Sequence, residues 1–174
     1  MLLTVGHSTH SAEKFLELLR AHQVRLVVDV RTVPRSRRNP QFNREILGAT
    51  LRDAGVDYRH MPALGGLRHP RKDSVNTAWQ NDNFRGYADY MQTVEFQDNL
   101  QELIGLAKGD ATALMCAEAV PWRCHRSLIA DALLARGIEV QHILSVTARR
   151  PHAFTSFARI EGTRVTYPGL PFPQ

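Results

Sequence analysis

Four short apolar runs, separated by segments whose apolar residues recur at helical spacing, constrain this chain more than any other feature. Leu2-Leu3-Thr4-Val5, Arg25-Leu26-Val27-Val28-Asp29-Val30, the run from Ala111 to Cys116 and the run from Glu139 to Leu144 have the length and continuity of strands buried on both faces. Between them, Phe15, Leu18, Leu19 and His22 follow Ser11 at helical spacing, and Ile46, Leu47 and Leu51 follow Asn43, which can cap a helix running to about Ala54. A strand near Val56-Asp57-Tyr58-Arg59 comes next, after Gly55. Phe84, Tyr87, Ala88 and Met91, then Phe96, Leu100, Leu103, Ile104 and Ala107, continue the helical periodicity until Gly109. A last helix is expected over roughly Cys124 to Arg136, stopped by Gly137.

Such alternation predicts an α/β fold: one layered, Rossmann-like domain over residues 1–150, with a mainly parallel sheet, helices on both faces and right-handed crossovers. Beyond Arg150 the chain is proline-rich, and Gly162-Thr163 suits a hairpin turn between Ala158–Ile160 and Arg164–Tyr167. Residues 151–174 therefore read as a C-terminal extension packed on the domain.

At 174 residues, with 43% hydrophobic and 22% charged residues, the chain can build its own core, which argues against disorder and coiled coil. No apolar run of about 18 residues suggests a membrane span, and the N-terminus lacks the pattern of a secretory signal, so the expected location is the cytoplasm. Cys116 and Cys124 are too few for a disulfide framework and read as reduced thiols.

The formal net charge is +5, carried by arginine far more than by Lys14, Lys72 and Lys108. Arginine favours planar, bidentate contacts to phosphate and carboxylate. Residues 31–72 hold nine arginines and one lysine against Glu45, Asp53 and Asp57, whereas residues 73–118 are acidic. The densest run, Arg35-Ser36-Arg37-Arg38, reads either as a solvated loop or as a polyanion contact, and no aromatic residues interleave it to stack bases.

In parallel sheets, ligands gather beyond the carboxyl ends of the strands, so the residues directly after each strand are the first candidates for chemistry. The segment from Cys116 to Arg126 packs two thiols, Glu118, His125, Arg123 and Arg126 between a strand and a helix start, a place that stabilises anions. Arg123 and Arg126 can donate to an anion, Glu118 can act as base, and Cys116 reads as a nucleophile or as a small core residue; Cys124 and His125 read as ligand contacts or as core and cap. His7, after the first strand, can move a proton or simply be satisfied in the core, and Ser8 or Thr9 can cap the following helix. Asp29 and Arg31 share a strand face, as a structural pair or as base and anion contact. Leu64-Gly65-Gly66 lies in the long, proline- and glycine-broken loop of residues 62–83, where paired glycines allow close backbone approach.

Two sharper alternatives fit less well. A phosphatase or rhodanese loop would place five residues between Cys116 and its arginine, whereas six precede Arg123, and Glu118 would stand where an oxyanion must sit. A zinc site from Cys116, Cys124, His125 and His7 would need adjacent residues to ligate one ion from a helix start. The residues thus call for no metal and no cofactor.

Together, Thr4-Val5-Gly6-His7-Ser8, Val28-Asp29-Val30-Arg31 with Pro34-Arg35-Ser36-Arg37, Leu64-Gly65-Gly66, and Leu114-Met115-Cys116-Ala117-Glu118 with Pro121 and Cys124-His125-Arg126 form a combination that resembles the domain-of-unknown-function 488 family. The resemblance runs from Val5 to about His142. It implies a small cytoplasmic α/β domain in which Gly6, His7, Asp29, Arg31, Pro34, Ser36, Arg37, Gly65, Gly66, Cys116, Glu118, Pro121, Cys124, His125 and Arg126 match the family pattern. It implies no particular reaction.

From the residues themselves, the leading expectation is an enzyme acting on a phosphorylated, nucleotide-like or nucleic-acid ligand. In it Arg31, Arg37, Arg123 and Arg126 hold the anion and Gly65 and Gly66 admit it, while Glu118, Cys116, His7 and Asp29 supply the chemistry. The alternative is a non-catalytic nucleic-acid or nucleotide-binding module that uses the basic segment 31–72. Neither expectation involves a membrane, and neither fixes an oligomeric state.

Overall fold

A computed structural model describes residues 1–170, and four of its strands fall on the four apolar runs. The strands β1 (Leu2–Gly6), β2 (Leu26–Asp29), β3 (Asp57–His60), β4 (Thr112–Cys116), β5 (Val140–Ile143) and β6 (Arg149–Pro151) form one sheet in the order β3-β2-β4-β1-β5-β6. All neighbours are parallel except β6, which pairs antiparallel with β5. Every residue of the central strands β1 and β4 is buried, which is why their sequences are continuous runs and not alternations.

Helices α1 (Ala12–Ala21) and α2 (Arg44–Asp53) cover one face, where Phe15, Leu18, Leu47 and Leu51 join Val5, Val27 and Met115. The other face is covered by α3 (Asp82–Tyr90), α4 (Val94–Leu106) and α5 (Arg126–Leu134), with Tyr87, Phe96, Leu100 and Leu128 packed around Val28 and Leu114. Each such Leu or Phe contributes about 1.5–3 kcal/mol when fully withdrawn from water. From β1 the chain steps past β4 to β2 and β3, while from β4 it steps past β1 to β5. The reversal of direction comes with the change of face, as a single crossover hand requires. β1 and β4 are thus neighbours whose connections leave in opposite directions, the switch point beyond which such sheets bind ligands.

Local details differ from the sequence reading in several places. Ser11, not Ser8 or Thr9, caps α1 by accepting from the Lys14 N–H, and Ser8 instead takes a left-handed turn at φ 47°. Asn43 stands at the cap of α2 but turns its side-chain oxygen to the Ser36 N–H. Ile46, expected inward, is 49% exposed, because Leu47 and Leu51 already fill the face of this short helix. α4 stops at Leu106, three residues before Gly109. The last helix, expected from about Cys124, starts only at Arg126, because Cys124 is extended after a 3₁₀ turn at Pro121–Arg123. Gly55 and Gly137 do end their helices, each with φ 73°.

The loop after β3 is ordered by polar bonds. The buried Asp89 carboxylate of α3 accepts from the Arg71 N–H at 2.8 Å, the Ser74 hydroxyl at 2.6 Å and the Asn76 amide at 2.7 Å. Arg68 lies 3.6 Å over the Tyr90 ring. The expected hairpin forms from β7 (Arg159–Glu161) and β8 (Arg164–Thr166), turning at Gly162 with φ 63°. Tyr167 after it is fully buried, and its hydroxyl donates to Asp131 at 2.7 Å. Pro171 and Pro173 of the proline-rich end lie outside the described residues.

A line of polar groups runs from the first residue of α5, Arg126, to Asp131 within the same helix. Arg126 donates to the Thr4 hydroxyl, and Thr4 meets His142 Nδ1 at 2.7 Å. His142 Nε2 faces His152 Nδ1 at 3.0 Å, and His152 Nε2 donates to Asp131 at 2.8 Å.

Candidate functional site

Beyond the carboxyl ends of β1, β2 and β4 lies a cleft of about 730 Å³, within the range of small-molecule sites. The turn after β1 supplies His7 and Ser8, the segment after β2 supplies Arg31, Val33 and Arg35, and the β4–α5 connection supplies Cys116, Glu118, Arg123, Cys124 and His125. Gly66, Leu67 and Phe84 close it from the long loop and α3.

Asp29 and Arg31 are a buried pair. Asp29 is wholly inaccessible and accepts from the Arg31 N–H at 3.1 Å, Nε at 2.9 Å and Nη2 at 2.6 Å, and from the Tyr58 hydroxyl at 2.6 Å. Its oxygens are used, so Asp29 has no lone pair placed to serve as a base in the cleft. Arg31 also donates to the Phe42 carbonyl and to His7 Nε2 at 3.2 Å, which leaves one of its five N–H groups free on the cleft wall. Burial, then the Asp29 carboxylate, push the Tyr58 phenol up and keep it protonated.

The bonds of His7 define its tautomer. Nδ1 donates to the Ser8 carbonyl at 2.8 Å, and Nε2, facing a guanidinium that can only donate, accepts. The ring stacks on Phe42 at 4.1 Å. Burial lowers its pKa to about 4, with the Arg31 charge adding to that effect, so His7 is neutral near pH 7 and orients Arg31. The expectation that it moves a proton there does not suit this environment.

The β4–α5 connection brings the two thiols together, with Cys116 Sγ 2.6 Å from Cys124 Sγ. His125 Nε2 donates to the Val30 carbonyl at 3.1 Å, which leaves Nδ1 as the acceptor facing Cys124 Sγ at 3.5 Å. Burial opposes ionisation of Cys124, but the Cys116 thiol, His125 and Arg126 together carry it well below the ordinary thiol value. Burial, then contact with Cys124, push Cys116 well above it. Cys124, which the sequence offered as a ligand contact or a core residue, is therefore the thiol disposed to ionise. Its position one residue before a basic imidazole was the available signal.

Arg126 is not on the cleft wall. It is buried at 1% exposure beneath the connection, donating to the Glu118 carbonyl and Thr4, with Nε left unpartnered and no ion pair among the described residues. Arg37 and Arg38 are exposed beside the cleft and do not line it, whereas Arg35, which the sequence reading did not single out as a contact, does. Glu118 is exposed on the wall, with Oε1 accepting from the Val120 N–H at 3.4 Å.

The glycines make room for protein, not for ligand. A β-carbon at Gly65 would sit 2.2 Å from the Thr32 hydroxyl, and one at Gly66 would sit 2.6 Å from His125 Nδ1. One at Gly6 would sit 2.0 Å from the Glu118 carbonyl oxygen, so the connection can rest on β1 only because that residue lacks a side chain.

The basic segment is likewise partly used up within the fold. Arg31 and Arg68 are held as described, Arg59 pairs with Glu102 at 2.9 Å, and Arg71 pairs with Asp73 at 2.9 Å. Among the described residues no group of three or more His, Cys, Asp or Glu side chains is arranged to hold a metal ion, and no helix is long and apolar enough to cross a membrane.

The fold and its cleft define a Rossmann-like α/β domain with a thiol, imidazole and guanidinium site at the switch point of the sheet. The model of the family described as domain of unknown function DUF488 matches residues 11–133, and the chain belongs to that family. The matched span contains the whole site except the turn after β1, with Gly6, His7, Ser8 and Thr9. No curated protein and no solved structure matches the chain.

Proposed function

We propose that this protein is an enzyme that binds a phosphorylated, nucleotide-like ligand in the strand-end cleft, with Glu118 as general base. One observation carries the reading: the cleft combines guanidinium groups with an apolar wall and contains a single carboxylate. Arg35 and Arg123 line it without an ion pair among the described residues, and Arg31 adds one free N–H. Val33, Leu67 and Phe84 supply apolar surface of the kind a base or sugar face covers, and Val33 and Leu67 are 60% and 69% exposed without it. An inorganic anion alone would leave that wall bare. Of the acids weighed from the sequence, Asp29 is saturated by hydrogen bonds, so the role of base falls to Glu118.

The test is a thermal-shift panel of nucleoside mono-, di- and triphosphates, sugar phosphates and inorganic phosphate, at low and high salt. A ligand at about 100 times its Kd adds roughly 2.7 kcal/mol, equivalent to roughly 5–10 °C for a chain of this size. The expected result is a salt-tolerant shift with one phosphorylated compound, lost in Arg123→Ala and retained in Glu118→Gln, whose turnover is abolished. A shift only with polyanions, erased by salt, would move the function to the exposed arginines at Arg37 and Arg38. No shift with any phosphorylated compound removes the proposal.

A further inference from the structure

We infer that Cys116 and Cys124 form a thiol–disulfide exchange centre on the floor of the cleft, in which Cys124 attacks an external disulfide and Cys116 resolves the intermediate. The inference rests on geometry that the phosphorylated-ligand reading does not use. The two sulfurs are in direct contact at 2.6 Å, close to bonding distance. They sit at the start and end of that connection, Cys116 closing β4 and Cys124 preceding α5, and both border the cleft.

The surroundings treat the two thiols unequally. Cys124 faces the unprotonated Nδ1 of His125, whose ring is fixed on its other side by the Val30 carbonyl and seated against Gly66. Cys116 has no imidazole; its sulfur meets the Glu118 carbonyl at 3.8 Å and Cys124. The Arg126 guanidinium is buried nearby without an ion-pair partner among the described residues, and it favours a negative charge on either sulfur, so His125 makes the difference between them. A thiol with a histidine beside it is the reactive kind, and a buried thiol without one is the kind that reacts second.

The chemistry balances as an ordinary exchange. His125 Nδ1 takes the Cys124 proton, and the thiolate attacks one sulfur of an external disulfide, breaking its S–S bond. One thiolate leaves, takes up a proton, and a mixed disulfide remains on Cys124. Cys116 then loses its proton and attacks Cys124 Sγ, expelling the second thiolate, which is protonated in turn. The external disulfide is reduced to two thiols by two electrons, and the protein dithiol is oxidised to the Cys116–Cys124 disulfide. The reverse sequence with an external dithiol restores the starting state.

The deciding experiment equilibrates the wild-type chain in reduced and oxidised glutathione at graded ratios, without any phosphorylated compound. The samples are quenched with acid, alkylated and weighed by intact-mass spectrometry. The expected result is one two-electron transition to a species two hydrogens lighter and closed to alkylation. Cys116→Ser is expected to accumulate a single glutathione adduct on Cys124, while Cys124→Ser forms adduct at Cys116 at least about tenfold more slowly, in line with its smaller thiolate fraction. In Cys116→Ser, the pH midpoint for alkylation of Cys124 lies below the free-thiol value of about 8.5 and rises in Cys116→Ser/His125→Asn. Wild-type protein that stays a dithiol across the whole series overturns the inference, as does faster reaction at Cys116. Because the wild-type titration needs no variant, a misfolded variant leaves the test standing. Its failure would not touch the phosphorylated-ligand reading, which is scored by thermal shift in reduced protein.

Discussion

Replacing Asp29 tests whether the pair beneath the cleft is as dry as its geometry implies. The carboxylate accepts four hydrogen bonds, three from Arg31 and one from Tyr58, and has no exposed surface. In Asp29→Ala the Arg31 guanidinium, 7% exposed, stays buried with its countercharge gone. Breaking a buried pair from one side costs about 3–5 kcal/mol. For a chain of this length each kcal/mol moves Tm by about 2–4 °C, so Tm falls by roughly 6–20 °C. Urea denaturation at constant m, with calorimetry alongside, measures the loss. A companion variant, Asp29→Leu/Arg31→Met, removes both charges together and is expected to recover most of it. Recovery stays incomplete by roughly 1–3 kcal/mol, because His7 Nε2 and the Phe42 carbonyl lose their donor. A loss below about 1 kcal/mol in Asp29→Ala, or a double variant no better than the single, would refute the description of a desolvated pair.

Three further expectations follow from other contacts. His7 and His142 have their pKa lowered from 6.5 to about 4 by burial, so the folded state binds fewer protons than the unfolded state between those values; stability is whole above 6.5 and is lost as pH falls toward 4. Urea midpoints at about pH 7, 5.5 and 4.5 read this slope, and equal midpoints would show that the two rings are hydrated. Gly66→Ala drives a β-carbon into His125, so the ring turns off the Val30 carbonyl; a loss of about 1–3 kcal/mol and slower alkylation of Cys124 are expected, and unchanged alkylation would show that His125 does not set the thiol's reactivity. Tyr167→Phe removes a buried donor to the Asp131 carboxylate and is expected to cost about 1.5–3 kcal/mol in urea, whereas no change would mean that Asp131 is satisfied without it.

The sheet was legible because strands buried on both faces leave uninterrupted apolar runs, and the helices between them leave periodic ones. β6 was not: Arg149, Arg150 and Pro151 are exposed, and they pair with β5 only because the turn before them folds back. The crowding of polar groups after β1, β2 and β4 was also visible, since parallel topology sends all three strand ends to one place. What each group does there was less so. The Asp29–Arg31 pair could be read from their spacing, but the burial of Arg126 beneath the connection without a carboxylate could not, because its contact with Thr4 joins residues distant along the chain. Gly65 and Gly66 signalled close approach correctly, but a glycine does not reveal what approaches.

The line of polar groups from Arg126 to Asp131 has an order that satisfies every link. Arginine only donates and an ionised aspartate only accepts, and in that order Thr4 donates to His142, His142 to His152, and His152 to Asp131. Every link points the same way, and each dipole adds to the next. The positive charge under the thiols and the negative charge of Asp131, further along α5, thus sense one another through a polarised chain instead of a contact, which explains how a guanidinium can rest in the interior with no carboxylate touching it. Because the chain starts and finishes on one helix and passes through β1, β5 and the residue after β6, it also closes a loop.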